Sequence, residues 1–382
     1  HIRIQRECLM SSAQPGKPSL QNRVYHWLDE RFHIAELTAY MNNKTVPVHG
    51  HSIFYYLGGL TMFFFLIQVA TGIMLLMYYR PGADSAYESV RFIISEVSFG
   101  WLIRAVHSWS ANLMILVAFL HMFTVFFTCA YRKPREMTWF SGMALLALSM
   151  TFGFSGYLLP WNELSFFATR VGTGMMHAIP FVGEYMLTVL RGGEEVTGAT
   201  IGRFFGLHVA ILPAAFTMVI AMHLVFVQRQ GMSEPLEWKA KAQREKKYMK
   251  FFPNFMYRDV LLWLVALNAL ALLAVFFPDG IGVIHWPLGE KADPFAAPPA
   301  IIRPEWYFMF MFQALKMLPA KVLFIEGEQF GLLFFGIGGA IWAMVPFLDK
   351  KSQRGEPSRR WFWFGVLVVA FIIVMTVVGY IL

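Results

Sequence analysis

The sequence predicts an all-α polytopic membrane protein, a four-helix bundle followed by three further transmembrane helices. Three observations carry this. Of the 382 residues, 57% are hydrophobic and only 15% charged, a charged share below that of soluble globular domains. Runs nearly free of charge recur, as in Ile53–Tyr79 and Trp361–Leu382, and each is long enough to cross about 30 Å of hydrocarbon. Basic residues gather in alternate connections between these runs.

Residues 1–50 form an N-terminal surface segment. They are mostly polar, so the first apolar run is not a signal peptide. His1 at the start suggests a missing initiator or an artificial chain edge. Residues 1–24 are expected to be partly disordered, and 22–41 read as one amphipathic helix lying on the membrane. Seven spans are expected at roughly 53–79, 107–131, 138–159, 205–227, 259–277, 329–348 and 361–381. They divide into a four-helix domain over 51–228, a basic linker over 229–258 and a three-helix part over 259–382. The connection 162–203 lacks the apolar length of a span, and Gly172, Gly174, Pro180 and Gly183 break it into short pieces.

The net charge of +8 does not indicate nucleic-acid binding. Its Lys and Arg residues concentrate in the N-terminal segment, in Arg132-Lys133-Pro134-Arg135, in Arg229–Arg258 and in Lys350–Arg360. The positive-inside rule puts these on the cytoplasmic side. Seven spans then leave the N-terminus inside and the C-terminus outside, here the negative and positive sides. Arg229–Arg258 otherwise reads as a solvated linker or a contact with anionic lipid. The two cysteines, Cys8 and Cys129, provide neither a disulfide framework nor a zinc site. The 23 Met and 38 Phe read as packing and lipid-facing residues.

Four histidines carry the strongest chemical signal. His107 and His121 lie in the second span, His208 and His223 in the fourth, 14 and 15 positions apart. At about 100° and 1.5 Å per residue, either spacing returns both imidazoles to within ~60° of one face, roughly 21–22 Å apart. Both helices run in the same direction. The pairs are therefore His107 with His208 near the positive side and His121 with His223 near the negative side. A lone histidine on an apolar helix is an ordinary packing residue, but four in membrane spans at matched spacing are not. Imidazole pairs suit low-spin, electron-transferring haem iron. Zinc prefers further ligands.

Gly58 and Gly72 in the first span, and Gly142 and Gly156 in the third, repeat the 14-residue spacing. Glycine leaves room beside a helix for a flat macrocycle. Small-residue helix packing is the ordinary alternative. Arg104 and Arg203 are placed either to pair with a haem propionate through charge-assisted hydrogen bonds or to anchor the interface.

With Gly156-Tyr157-Leu158-Leu159-Pro160-Trp161 after the third span and Pro304-Glu305-Trp306-Tyr307 before the sixth, this pattern resembles a known family over nearly the whole chain. It is similar to cytochrome b of the quinol:electron-acceptor oxidoreductases, the cytochrome bc complexes. The extra residue between His208 and His223, Phe99-Gly100-Trp101-Leu102-Ile103-Arg104 and Gln230-Gly231-Met232-Ser233 resemble its chloroplast-type branch. There the four-span and three-span parts are separate polypeptides, whereas here they look fused. That branch also carries a cysteine near the start of the first span that attaches a c-type haem. Tyr56 stands at the matching position, so no covalent third haem is expected.

The resemblance implies two non-covalent, bis-His b-type haems and two quinone sites. It makes Glu305 the group that takes a proton from quinol on the positive side, and a carboxylate in apolar surroundings has its pKa raised towards that task. It puts Tyr157 in the same pocket, though the residues alone read as a belt tyrosine. It makes Asp259, with Arg258 and Arg229 nearby, the acid of the quinone-reducing site. There Gln228 replaces a basic residue usual in the chloroplast-type branch, and an interfacial cap is the alternative reading of Asp259. Residues 162–203 are implied to roof the quinol site, with His177 a surface residue or a proton relay, and Pro294–Pro304 to position the Glu305 motif.

The resulting expectation is the cytochrome b subunit of a quinol:cytochrome c oxidoreductase-type complex. It would oxidise quinol, bifurcate the electrons, pass one across the membrane to a quinone and translocate protons. A Rieske-type iron–sulfur protein, a c-type cytochrome, lipids, a dimeric assembly and a bacterial inner membrane are implied with it. Two other readings remain at this point. A di-haem anchor of a dehydrogenase or reductase explains the histidines but not the Glu305 motif. A proton-coupled transporter would use membrane histidines as relays.

Overall fold

The computed structural model describes residues 19–382. Cys8 and most of the stretch expected to be disordered lie outside them. Seven helices are long and apolar enough to cross a membrane: Ser52–Leu76, Gly100–Phe127, Glu136–Tyr157, Gly198–Gln230, Phe251–Phe276, Gly327–Arg354 and Arg359–Ile381. They follow the expected spans in order, and the protein is an all-α polytopic membrane protein.

The chain forms two compact units. One comprises the described residues up to Val46 with Tyr248–Arg258; the other comprises Pro47–Lys247 with Asp259–Leu382. In the smaller unit the single helix expected over 22–41 is two helices, Leu20–Phe32 and Ile34–Asn43. His33 breaks them in a left-handed conformation at φ 50°, and the Asp29 carboxylate accepts the Ala35 N–H at 2.6 Å. The apolar pattern runs through the break and conceals it.

In the larger unit the first span packs along the second and the third along the fourth. Phe63, Phe64, Ala105 and Trp109 form one core with Leu270 and Ala274 of the fifth span. Phe126, Trp139, Trp342 and Val345 join the second, third and sixth spans in another. The second span begins earlier than expected, at Gly100. A Cβ there would stand 2.0 Å from the Ile93 carbonyl oxygen, so only glycine lets the surface helix Ala86–Ser95 turn into the span.

The loops sort to two ends. At one end Arg135 donates to the Gln230 carbonyl at 3.1 Å, Arg132 donates to that of Glu234 and the Lys133 N–H to Gln353 at 2.8 Å. At the other, Tyr79 donates to the Leu159 carbonyl at 2.8 Å, Tyr87 to that of Gly289 at 2.7 Å and Asn162 to that of Leu288 at 2.8 Å. The first end gathers the basic connections. It is locked by the buried Tyr131 hydroxyl, which donates to the buried Asp349 carboxylate at 2.8 Å. Tyr131→Phe removes a bond to a charged acceptor, and a loss of about 2 kcal/mol is expected, read as a lower melting midpoint in detergent.

Between spans three and four, residues 162–203 form the short helices Glu163–Gly174 and Gly183–Arg191, separated by a 3₁₀ turn at Met175–Ala178. The helix Trp306–Lys316 is too short to span and packs on the seventh span. A Cβ on Gly379 would meet Met309 Sδ at 2.7 Å, so that residue sets the close approach.

Candidate functional site

All four histidines project into the four-helix bundle. The His107 and His208 rings face each other with centroids 6.4 Å apart and planes at 68°. His121 and His223 lie near enough to interact electrostatically. A metal–imidazole bond of about 2 Å on each side, added to the ring radii, accounts for the first separation. No group of three or more His, Cys, Asp or Glu that could hold a metal occurs among the described residues. The donor set therefore suits a metal whose remaining ligands come with it, as in haem.

Each glycine of the two matched pairs abuts one of these imidazoles. A Cβ on Gly58 would lie 3.3 Å from His121 Cε1, on Gly72 3.4 Å from His107 Cε1, on Gly142 3.4 Å from His223 Cε1 and on Gly156 2.7 Å from His208 Cε1. In the structure each of these glycines gives room to a histidine ring. Gly156 is the tightest of the four.

The residues just before these glycines were missed. Thr71 Oγ1 lies 2.8 Å from His107 Nδ1, Ser141 Oγ 2.9 Å from His223 Nδ1 and Ser155 Oγ 3.1 Å from His208 Nδ1. Thr71 donates its own proton to the Ile67 carbonyl at 2.7 Å, and Ser141 donates to that of Met137 at 2.9 Å. Ser155 donates to the Phe152 carbonyl at 3.1 Å. With those protons committed, each hydroxyl accepts from Nδ1–H, which leaves the Nε2 lone pair for a metal. The Ser/Thr-Gly dipeptides at 71–72, 141–142 and 155–156 were the available signal.

The unequal histidine spacings also have a structural reason. Leu207–Ile211 is a π-turn, closed by the Leu212 N–H on the Leu207 carbonyl. Pro213 follows and has no N–H to continue the α-helical ladder. The π-turn takes up one extra residue, so a spacing of 15 in the fourth span faces a spacing of 14 in the second.

Glu305 is the N-cap residue of Trp306–Lys316, and its side chain does not cap that helix. Burial raises its pKa to about 7. Tyr157, Tyr307 and Tyr380 stand within electrostatic reach of it. Burial, with the charges of Glu305 and Tyr157, holds the Tyr307 phenol well above its ordinary range. Tyr307 packs into the third span where Gly153 has no side chain: a Cβ there would be 2.0 Å from its Oη. Trp306 Nε1 donates to Asn112 at 2.8 Å, tying this helix to the second span between its two histidines, nearer His107.

Near the start of the fifth span Asp259 packs over Gly59, next to the glycine that faces His121. A Cβ on Gly59 would stand 2.6 Å from Asp259 Oδ2. Asp259 Oδ1 and Trp263 Nε1 are both buried, and the Trp263 ring N–H is placed to interact with the Asp259 carboxylate. Arg104 pairs with Asp279 at 3.3 Å and donates to the Trp286 carbonyl at 2.8 Å. Arg203 donates to the Thr188 carbonyl at 3.3 Å. His177 is exposed beside Glu184 at 3.4 Å.

Comparison with known proteins agrees with this arrangement. Residues 41–231 match the family model Cytochrome b/b6/petB, and residues 291–381 match Cytochrome b(C-terminal)/b6/petD. A cytochrome bc complex cytochrome b subunit of Chlorobaculum thiosulfatiphilum is 46% identical over 95% of this chain and 82% of its own length. A cytochrome b6 of Synechococcus elongatus is 43% identical over 56% of this chain and 100% of its own. A solved structure titled Hyperthermophilic respiratory Complex III superposes with a TM-score of 0.81 at 29% identity, covering 93% of this chain and 91% of the other. These matches leave no room for the anchor and transporter readings. Since both family models match in order along one polypeptide, the chain belongs to the cytochrome b/b6 family, its b6-like and petD-like portions fused.

Proposed function

We propose that this chain is the di-haem membrane subunit of a quinol:cytochrome c oxidoreductase-type complex, with quinol oxidised beside Glu305 and quinone reduced near Asp259. The observation that carries this is the repeated unit of histidine and facing glycine, present four times at two depths. His107 with His208, and His121 with His223, would each hold one b-type haem through Nε2, with Arg104 sharing its guanidinium between Asp279 and a propionate. When bound, the two haems supply one-electron carriers between the two sides of the membrane.

The chain's own residues handle protons. A hydroquinone gives up two electrons and two protons. Glu305, with a pKa of about 7, accepts a hydroxyl proton at neutral pH and passes it to the positive side. Tyr157 and Tyr307 wall the pocket and exclude water. Asp259 delivers a proton to the quinone reduced on the negative side. Release on one side and uptake on the other build a proton gradient. Of the two electrons, one goes to a Rieske-type protein and a c-type cytochrome and the other crosses between the two histidine pairs to the quinone near Asp259, within a dimeric complex in a bacterial inner membrane whose cytoplasmic face carries the N-terminus. No covalent haem joins at Tyr56.

A reduced-minus-oxidised spectrum of the purified complex tests the reading. Two b-type haems per chain, released by acid acetone, are expected. A stoichiometry of one or none overturns it.

A further inference from the structure

Three of the four imidazoles have a hydroxyl on Nδ1, supplied by the residue before the facing glycine: Thr71, Ser141 and Ser155. At the fourth, Leu57 precedes Gly58, and His121 Nδ1 is buried with no hydrogen-bond partner among the described residues. Backbone placement does not explain the difference. A Cβ on Gly58 would lie 3.3 Å from His121 Cε1, 3.4 Å from Nε2 and 3.9 Å from Nδ1; one on Gly142 would lie 3.4 Å from His223 Cε1 and 3.9 Å from Nδ1. Cε1 and Nδ1 thus stand at nearly the same distances from the two glycines, while His121 also turns Nε2 towards Gly58. Leu57 occupies the chain position from which Ser141 reaches Nδ1 at 2.9 Å.

We infer that Leu57 is a positioning residue that raises the reduction potential of the negative-side haem by withholding an acceptor from His121 Nδ1–H. This rests on the di-haem reading above. An acceptor on Nδ1–H makes Nε2 a stronger donor to iron, which favours the ferric state with its extra positive charge. Without that acceptor His121 is the weaker donor, and the ferrous state gains. The positive-side pair, His107 and His208, has both Nδ1 atoms anchored; the negative-side pair has one. The asymmetry therefore favours movement of an electron from the positive-side haem to the negative-side haem.

The test is a potentiometric titration of b-type absorbance in the whole complex carrying Leu57→Ser. The negative-side midpoint is expected to fall, with the positive-side midpoint and the two haems per chain unchanged. Ser141→Ala, which removes the hydroxyl acceptor from His223 and leaves it the Thr138 carbonyl, is expected to move that midpoint upward and so identifies the component. An unmoved or rising midpoint in Leu57→Ser overturns the proposal. Should Leu57→Ser lose haem, Ser141→Ala decides, and an unmoved midpoint there also overturns it. Absence of two b-type haems from the unmutated complex would instead sink the di-haem reading, so the two failures are distinct.

Discussion

Replacing Glu305 with Gln is expected to slow quinol oxidation on the order of 10²-fold, the contribution of a positioned general base, with both b-type haems retained. Steady-state reduction of a c-type cytochrome by a quinol analogue measures it. The pH profile separates a proton-transfer role from a packing role. Burial raises Glu305 from its ordinary 4.5 to about 7, and only the carboxylate accepts a proton. The unmutated rate should therefore rise as pH passes through about 7 and level off above it, while Glu305→Gln should be flat across that window. The stability effect has the opposite sign. A folded pKa raised above the unfolded one means that the native state holds its proton more tightly, and this stabilising contribution is lost as pH rises from about 4.5 to about 7. At pH 8 the neutral Gln should leave the protein no less stable than Glu305 does. Unchanged turnover would remove Glu305 from the proton path.

Gly156→Ala is expected to cost the positive-side haem. The new Cβ would stand 2.7 Å from His208 Cε1 and 3.2 Å from Nδ1, so the imidazole must move. His208 is held by Ser155 next door and sits in the π-turn, which leaves it little freedom. Overpacking of this kind costs about 1–3 kcal/mol, and a displaced axial ligand weakens haem retention further. Pyridine haemochrome analysis should fall from two haems per chain towards one, with one component missing from a redox titration. Gly142→Ala places its Cβ at 3.4 Å from His223 Cε1, an ordinary contact, and should keep both haems. Equal losses in the two variants would contradict this ranking.

The fold was legible because a bilayer imposes length, apolarity and charge asymmetry on the chain itself. The long uncharged runs specify the seven spans, and the alternating basic connections foretell which loops meet at one end. The break at His33 was not legible, because one left-handed residue leaves the helical pattern of its neighbours intact. The histidine pairing was legible because a helix converts spacing into a common face. The partners of those histidines were not, because Thr71, Ser141 and Ser155 act across to a different helix and read locally as ordinary small polar residues.

By itself the sequence determined the number of spans and the helix faces that pair the histidines, and it singled out Glu305 and the four glycines as candidates. These depend on helix periodicity, on the cost of polar groups in hydrocarbon and on short motifs. Only the tertiary structure decided what the glycines face, which imidazoles have a hydroxyl partner and why one spacing is longer by a residue. It showed Gly153 making room for Tyr307 and Gly59 making room for Asp259. The physical reason is that a glycine or a hydroxyl takes its meaning from the group packed against it. That group lies on another helix, brought there by the packing of the spans, which no local pattern encodes.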